Sequence, residues 1–443
     1  LGIMSNEYGV MLNRNQARAS ATGNSFAIAA ARIPYYLNLK GPAIPIDTAC
    51  SSSLVGTHLA RQALVNKEID MALVGGVTLY LTPESYISMC EAGMLSPDGQ
   101  CKAFDNGANG FVPGEGSGAL VLKRLKDAEA DRDHIYGVII GSGINQDGKT
   151  NGITAPSVKS QMDLERDIYE TYGIHPESIS YVEMHGTGTK QGDPIELEAL
   201  STVFKEKTDK KQFCAIGSVK SNIGHTSAAA GVAGVQKVLM CMKHKTLVPT
   251  LNFSEPNEHF QFEESPLYVN TELKHWETAD RKPRRACVSS FGYSGTNAHL
   301  VIEEYQADRN NDPLPDRHHS KLFVLSAKKR QQLKAYAQSM RDFADSNKDI
   351  NLDDMAYTLQ TGREPMDYRM AFLADSREML IKTLEDYIAD IPNTEIYDAH
   401  VKTKKSEMKV FETDNDAKIL LETWIEKKRL EKLAELWVKG LRI

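Results

Sequence analysis

Between Gly41 and Ile302, short continuous runs rich in Val and Ile alternate with longer stretches whose apolar positions recur at helical spacing. Continuous apolar runs mark strands buried on both faces, and their alternation with helices points to a layered α/β architecture. The predicted strands are Ala43–Asp47, Met71–Thr78, Gly118–Leu122, Tyr136–Gly141, Ser180–Met184, Ala215–Val219, Arg285–Ser290 and Ala298–Glu303. A helix over Ser51–Leu64 places Leu54, Val55, Leu59, Ala63 and Leu64 on one face. Asp193 and Pro194 read as the N-cap and first-turn proline of a helix over Ile195–Phe204. A third helix, Thr226–Met242, opens with the small residues Ser227 to Gly231, which permit close backbone approach and predict a buried central helix.

The polar stretch 307–320, with Asn310, Asn311, Asp312, Pro313 and Pro315, breaks the pattern and reads as a linker. It separates a first domain, 1–306, from a second, smaller one. There Lys321–Ala327 and Tyr368–Ala374 read as strands, and Lys329–Asn347, Leu352–Thr361 and Arg377–Ile388 as helices. This makes 321–395 a small α/β domain and 396–443 a helical flanking segment, whose Leu420–Leu441 helix carries Trp424 and Trp437 among charges as packing residues.

Composition narrows the function. The 443 residues are 41% hydrophobic, enough for a large core, and the net charge of −7 is spread along the chain. That balance lacks the basic stripe a phosphate backbone needs, so nucleic acid is not an expected partner. Six cysteines lie scattered with no CxxC pair, which fits a reducing, cytoplasmic setting and predicts no metal site. The sequence has no apolar run of membrane-spanning length and no signal-peptide pattern at its start, so neither insertion nor export is expected.

Three segments carry candidate chemistry. In Asp47-Thr48-Ala49-Cys50-Ser51-Ser52-Ser53 a strand turns into a helix through small residues. Cys50 at a helix start meets unpaired N–H groups that favour thiolate, the nucleophile a thioester calls for. His185-Gly186-Thr187-Gly188-Thr189 ends one predicted strand, and Lys220-Ser221-Asn222-Ile223-Gly224-His225 follows another. Strand ends of a layered α/β fold hold catalytic groups rigidly while loops keep them accessible. Taken singly, Cys50 reads equally as a small buried residue and each histidine as a structural one. Only their convergence would make a site.

DTACSSS at Cys50, HGTGT at His185, KSNIGH at His225 and FGYSGTNAH from Phe291 resemble, in that order, the motifs of the beta-ketoacyl synthases. The resemblance runs from about Gly2 to Glu304. Leu352 to Ser376 resembles the linker domain that follows ketosynthases of modular type I polyketide synthases using separate acyltransferases, and Asn145–Ser157 has the same character. The resemblance implies a thiolase-like layered αβαβα fold with a small α/β linker domain, and a two-stage reaction. Cys50 would take an acyl group from the phosphopantetheine thioester of an acyl carrier protein, with no cofactor bound by the enzyme itself. The N–H groups of Cys50 and Tyr293 would form the oxyanion hole, and Gly292 and Tyr293 would gate the pocket. His185 and His225 would meet the enolate oxygen formed as a malonyl carrier thioester loses carbon dioxide. Lys220 would support the histidines, with a surface lysine as the alternative. Thr187 and Thr189 would contact the pantetheine arm or satisfy their own turn. Asp193 reads as a cap, and Asn297 and His299 as supports of the Tyr293 loop.

The family core extends upstream of Leu1, so an N-terminal part or a partner chain is expected to complete it, and the 443 residues alone are expected to be poorly soluble or inactive. No GxSxG elbow and no carrier attachment serine are present, which implies a separate acyltransferase and carrier domains elsewhere. The resemblance also implies a homodimer, with the Leu420–Leu441 helix as an alternative contact between dimers. Three other readings stand beside elongation: a non-elongating ketosynthase, which usually lacks the histidine of HGTGT; a thiolase or chalcone-synthase-like enzyme, which lacks the second histidine; and a non-catalytic scaffold.

Overall fold

The computed structural model describes residues 1–4, 7–15, 22–278, 282–306, 320–403 and 414–441. The chain divides into two units, Leu1–Ala307 and Asp308–Ile443. Of the predicted linker, 307–319 lie outside the described residues.

In the first unit the apolar runs form β1 (Met71–Thr78), β2 (Gly116–Lys123), β3 (Val138–Gln146), β4 (Tyr181–Glu183), β5 (Cys214–Gly217), β6 (Thr246–Leu247), β7 (Leu267–Val269), β8 (Lys274–His275), β9 (Arg285–Phe291) and β10 (Thr296–Glu303). Six of them make one mixed sheet in the order β3-β10-β9-β4-β5-β7. β9, β4, β5 and β7 run parallel, whereas β10 is antiparallel to both β9 and β3. β1 pairs antiparallel with β2, and β6 with β8.

Both faces of the large sheet are covered. Leu164 and Ile168 of the helix Val158–Thr171, with Leu197, Leu200 and Phe204 of the helix Gly192–Lys205, pack on Val182, Ile216, Cys287 and Val301. On the other face, Leu54 and Val55 of Ser52–Val65 and Val232, Val235 and Val238 of Ala230–His244 lie against Ala215, Ala286, Val288 and Leu300. The same cluster includes Val74 of β1 and Leu120 of β2, so the layers read helix, sheet, helix, sheet. Each such side chain contributes roughly 1.5–3 kcal/mol by leaving water. The small residues predicted to bring backbones together do so: a Cβ at Gly231 would lie 2.7 Å from the Leu54 nitrogen.

Some boundaries differ from expectation for identifiable reasons. Ala43–Asp47 is not a strand; Ile46 alone bridges Gly2, which also bridges Gly76. Pro42 and Pro45 lack the N–H a ladder needs. The helix predicted from Thr226 begins as a 3-10 turn, Ser227–Ala229, because Ser227 is left-handed at φ 42°, and regular helix starts at Ala230. Leu420–Leu441 is two helices, Asn415–Glu426 and Leu430–Val438, interrupted at Lys428, where φ is 49°.

The second unit is a three-stranded antiparallel sheet in the order β11 (Lys321–Ala327), β12 (Tyr368–Ala374), β13 (Tyr397–His400). The helices Arg330–Ser346, Leu352–Thr361 and Arg377–Ile388 pack on it around Phe323, Leu333, Met370, Phe372 and Leu384. The stretch 396–443 is expected to flank this domain, and its described parts join the domain's sheet and core. β13 extends the sheet, and Leu433, Ala434 and Val438 belong to the same core. Arg369 of β12 ties that last helix down by donating from Nη1 to the carbonyls of Trp437 and Leu441.

Candidate active site

The turn that presents Cys50 is strained. Ala49 is left-handed at φ 57°, and Ala49–Ser51 form a 3-10 turn immediately before the Ser52–Val65 helix. A non-glycine residue there costs of order 1–2 kcal/mol, and side-chain bonds hold it in place. The Asp47 carboxylate accepts the Ala49 N–H at 3.0 Å, Ser52 Oγ accepts the Thr48 N–H at 2.9 Å, and Ser290 Oγ donates to the Cys50 carbonyl at 2.8 Å. Gly292 approaches from the β9–β10 hairpin so closely that a Cβ would lie 2.3 Å from the Thr48 carbonyl oxygen. That approach brings the Tyr293 N–H to the Cys50 sulfur, where the N–H of Cys50 also points.

His185 follows β4 and His225 follows the short helix Lys220–Ile223 after β5. Parallel neighbouring strands thus deliver both rings to one place. Cys50, His185 and His225 each offer a side-chain N or S atom, and all of these lie within 4.8 Å of one another. The imidazole centroids are 5.3 Å apart at 85°, with Phe291 beside His185 and Phe111 beside His225.

Burial sets the protonation states. It pushes both histidines well below their ordinary range, helped by the nearby Lys220 amine, so both rings are neutral at physiological pH. His225 Nδ1 accepts the Ser227 N–H at 3.3 Å, which puts its hydrogen on Nε2 as a donor. His185 Nδ1 is buried without a hydrogen-bond partner. For Cys50 the expected direction is reversed. Burial is the largest influence and raises the thiol, while the Tyr293 N–H, Lys220 and the Cys50 N–H pull it back. A thiol, rather than a standing thiolate, is therefore the resting group. The three residues also have the spacing of an N/S metal set, but the hydrogen on His225 Nε2 makes that nitrogen a donor rather than a ligand.

Lys220 is not a surface residue: it is 3% exposed. Burial lowers its amine, and Glu183, Glu196, Cys101 and Cys50 oppose that shift. Asp193 is not a cap either. The helix starts at Gly192, and the Asp193 carboxylate reaches across to accept the N–H groups of Phe104 at 2.8 Å and Gly188 at 3.1 Å. Glu196, one helical turn on, accepts the N–H groups of His185 at 2.6 Å and Gly186 at 2.9 Å. Glu183 accepts the Val219 N–H at 2.6 Å and pairs with Lys237 at 2.7 Å. Thr187 and Thr189 bond each other at 3.1 Å, and Thr189 Oγ1 accepts the Gly192 N–H, so they brace their own loop. Asn297 Nδ2 donates to Asp147 at 2.7 Å, and His299 bridges Ser289 and Tyr169 under the hairpin. Tyr293 projects outward, 50% exposed.

Glu183 and Glu196 are the site-shaping residues that sequence reasoning missed. Their signal was an acid on an otherwise apolar face, as with Glu196 among Ile195, Leu197, Ala199 and Leu200.

Family models match three parts of the chain: the beta-ketoacyl synthase N-terminal domain over 1–128, the beta-ketoacyl synthase C-terminal domain over 136–254, and the RhiE-like KS-MAT linker domain over 324–391. Fold and match together define an acyltransferase of the thiolase-like layered class. A solved ketosynthase from module 6 of the bacillaene synthase of Bacillus subtilis 168 is 85% identical, with a TM-score of 0.87 over 100% of this chain and 76% of that one. One from module 1 of the bacillaene synthase of Bacillus amyloliquefaciens FZB42 is 40% identical, with a TM-score of 0.83 over 96% and 73%. The chain belongs to the beta-ketoacyl synthase family, as the ketosynthase of a polyketide synthase. Polyketide synthase PksL of Bacillus subtilis strain 168 is 87% identical over 100% of this chain, which spans 10% of that protein. Among the described residues no helix is long and apolar enough to cross a membrane.

Proposed function

We propose that this ketosynthase elongates acyl chains by decarboxylative Claisen condensation. In the first stage Cys50 sulfur bonds to the acyl carbonyl carbon, the pantetheine C–S bond breaks, and the thiol proton leaves with the pantetheine sulfur. The N–H groups of Cys50 and Tyr293 would hold the intermediate oxyanion. In the second stage the malonyl thioester loses carbon dioxide. Its enolate oxygen accepts from neutral His185 and His225, and its carbon bonds to the Cys50-bound carbonyl as that C–S bond breaks. The freed thiolate takes one proton, regenerating the thiol. The observation that carries this reading is the Cys50 sulfur and two neutral imidazoles brought within 4.8 Å of one another.

The retained His185 favours elongation over simple acyl transfer between carriers. Family membership likewise supports a homodimer in the cytoplasm, part of a larger assembly in which a separate acyltransferase supplies malonyl units. The identity to bacillaene synthase ketosynthases supports a place in an equivalent assembly line. The deciding experiment loads acyl groups on a carrier protein, follows intact enzyme mass, and then adds malonyl carrier. An acyl mass on Cys50, absent in Cys50→Ala, followed by a β-ketoacyl carrier product is expected. Acylation with no ketide establishes a transfer-only domain instead.

A further inference from the structure

Beside the reacting atoms lies a pair of hydroxyls that the mechanism does not use. Tyr80, just beyond the end of β1, has its phenolic oxygen 2.9 Å from Ser227 Oγ. Ser227 is the residue whose N–H holds His225 Nδ1, and its 3-10 turn packs directly on the Ala49–Ser51 turn that carries Cys50. The phenol is close enough to feel the Cys50 charge, although burial is the main influence on it.

This placement is heavily fixed. The Tyr80 N–H donates to Glu115 at 2.6 Å, and its ring meets Tyr86 edge-on at 5.3 Å. The next residues donate to Glu7, Thr82 at 3.0 Å, and the Thr78 hydroxyl donates to the Thr226 carbonyl at 2.8 Å. Ser227 itself is left-handed, a conformation in which glycine would be less strained. The mutual bond uses one of the pair's two hydroxyl hydrogens. Whichever oxygen donates, one O–H and several lone pairs remain beyond that mutual bond.

We infer that Tyr80 and Ser227 form a polar selector, favouring acyl chains that bear a hydroxyl or carbonyl oxygen near the thioester over all-hydrocarbon chains. The inference rests on the proposal that Cys50 accepts the chain. An oxygenated chain would take a hydrogen bond from the pair's remaining O–H, whereas a hydrocarbon chain would cover that O–H and leave it unsatisfied.

The test measures Cys50 acylation rates, by intact mass, with hexanoyl, 3-hydroxyhexanoyl and 5-hydroxyhexanoyl groups on the same acyl carrier protein. The unmodified chain should favour at least one hydroxylated group by about 3- to 10-fold over hexanoyl. Tyr80→Phe, which keeps the ring contact with Tyr86, and Ser227→Ala should each bring that ratio towards one. A pair that merely braces His225 would slow all three chains alike with the ratio intact. That outcome, or no preference in the unmodified chain, overturns the inference alone. Failure of every chain to acylate Cys50 overturns the acyl-enzyme proposal as well.

Discussion

The two units bury polar groups on different terms. In the first, Glu165, Glu183, Asp193, Glu196, Lys220, His225 and His299 are all buried, most of them around the ends of β4 and β5. In the second, the buried polar or charged side chains among the described residues are Arg369 and Thr383, and the core is otherwise aliphatic and aromatic. Buried ionisable groups are costly unless their bonds are satisfied. The first unit meets that demand with loop N–H groups: those of His185 and Gly186 on Glu196, those of Phe104 and Gly188 on Asp193. The same bonds that make the acids tolerable fix the loop bearing His185. A hydrocarbon core gives stability alone; a satisfied polar core gives stability and aim.

The sharpest way to break this contrast is in the second unit. Phe372 is fully buried and stacked on Phe323 at 5.5 Å. Phe372→Ala should cost about 3–5 kcal/mol. Urea titration followed by tryptophan fluorescence will register it, since two of the three tryptophans, Trp424 and Trp437, belong to this unit. Acylation of Cys50 in native buffer should stay within about twofold if the substitution acts through its own core.

The counterpart in the first unit changes chemistry before stability. His225→Ala removes a donor argued to meet the enolate, and should lower condensation by about 10²- to 10³-fold. Acylation of Cys50, which does not call on that donor, should persist in intact-mass measurements. Equal loss of both stages would show His225 to be a packing residue like those of the second unit.

How much of this was legible in the sequence follows the same division. Cys50, His185 and His225 stood out because each sits in a run of small residues at a strand or helix end, a signature local in the chain. Glu183, Glu196 and Tyr80 did not, because their partners are brought to them only by folding: β5 beside β4, and the 225–227 turn beside β1. Asp193 looked like a cap because Pro194 follows it; the helix starts one residue earlier, and its carboxylate serves Phe104 and Gly188 instead. The Cys50 thiol was given the wrong direction since a helix start is visible in a sequence and depth of burial is not. In the second unit the alternation of Lys321–Ala327 and Tyr368–Ala374 was plain, but β13 was hidden, being four residues with a weak apolar pattern.

Titration offers a subtler separation of the units. His185, His225 and His299 have folded pKa values below 6.5, His299 at about 3, so the unfolded chain takes up protons that the folded unit refuses as pH falls below that value. The histidines' contribution to the stability of the first unit declines there. Glu196, raised to about 8, Asp193, raised to about 6, and Glu165, raised by burial, act oppositely. Their contribution is complete below the ordinary carboxylate range and disappears as pH climbs through the folded values. Below pH 6.5 the two sets oppose each other, and above it the acids act alone, so the urea midpoint of the first unit should fall from pH 6.5 to 8. The second unit, with no buried histidine or carboxylate among its described residues, should be nearly flat from pH 5 to 8. Parallel curves for the two units would remove the distinction.

The smallest effect falls on a residue that does what Asp193 was expected to do. Ser376 is the N-cap of the Arg377–Ile388 helix, and its side chain accepts the Met379 N–H at 3.4 Å. The bond is long and satisfies one donor within its own helix, so Ser376→Ala should cost only about 1 kcal/mol, with water replacing the lost acceptor at a helix start. Asp193→Ala would instead strand two buried N–H groups outside its helix, those of Gly188 in the loop before it and of Phe104, 89 residues away in sequence. The two substitutions each remove an acceptor at the start of a helix, Ser376 from the cap and Asp193 from the first turn. A small shift in the second unit's urea midpoint for Ser376→Ala, with condensation unchanged, is the expected result. A loss at Ser376 equal to that at Asp193 would mean that the cost is set by helix capping in both units, and not by the polar core that distinguishes the first.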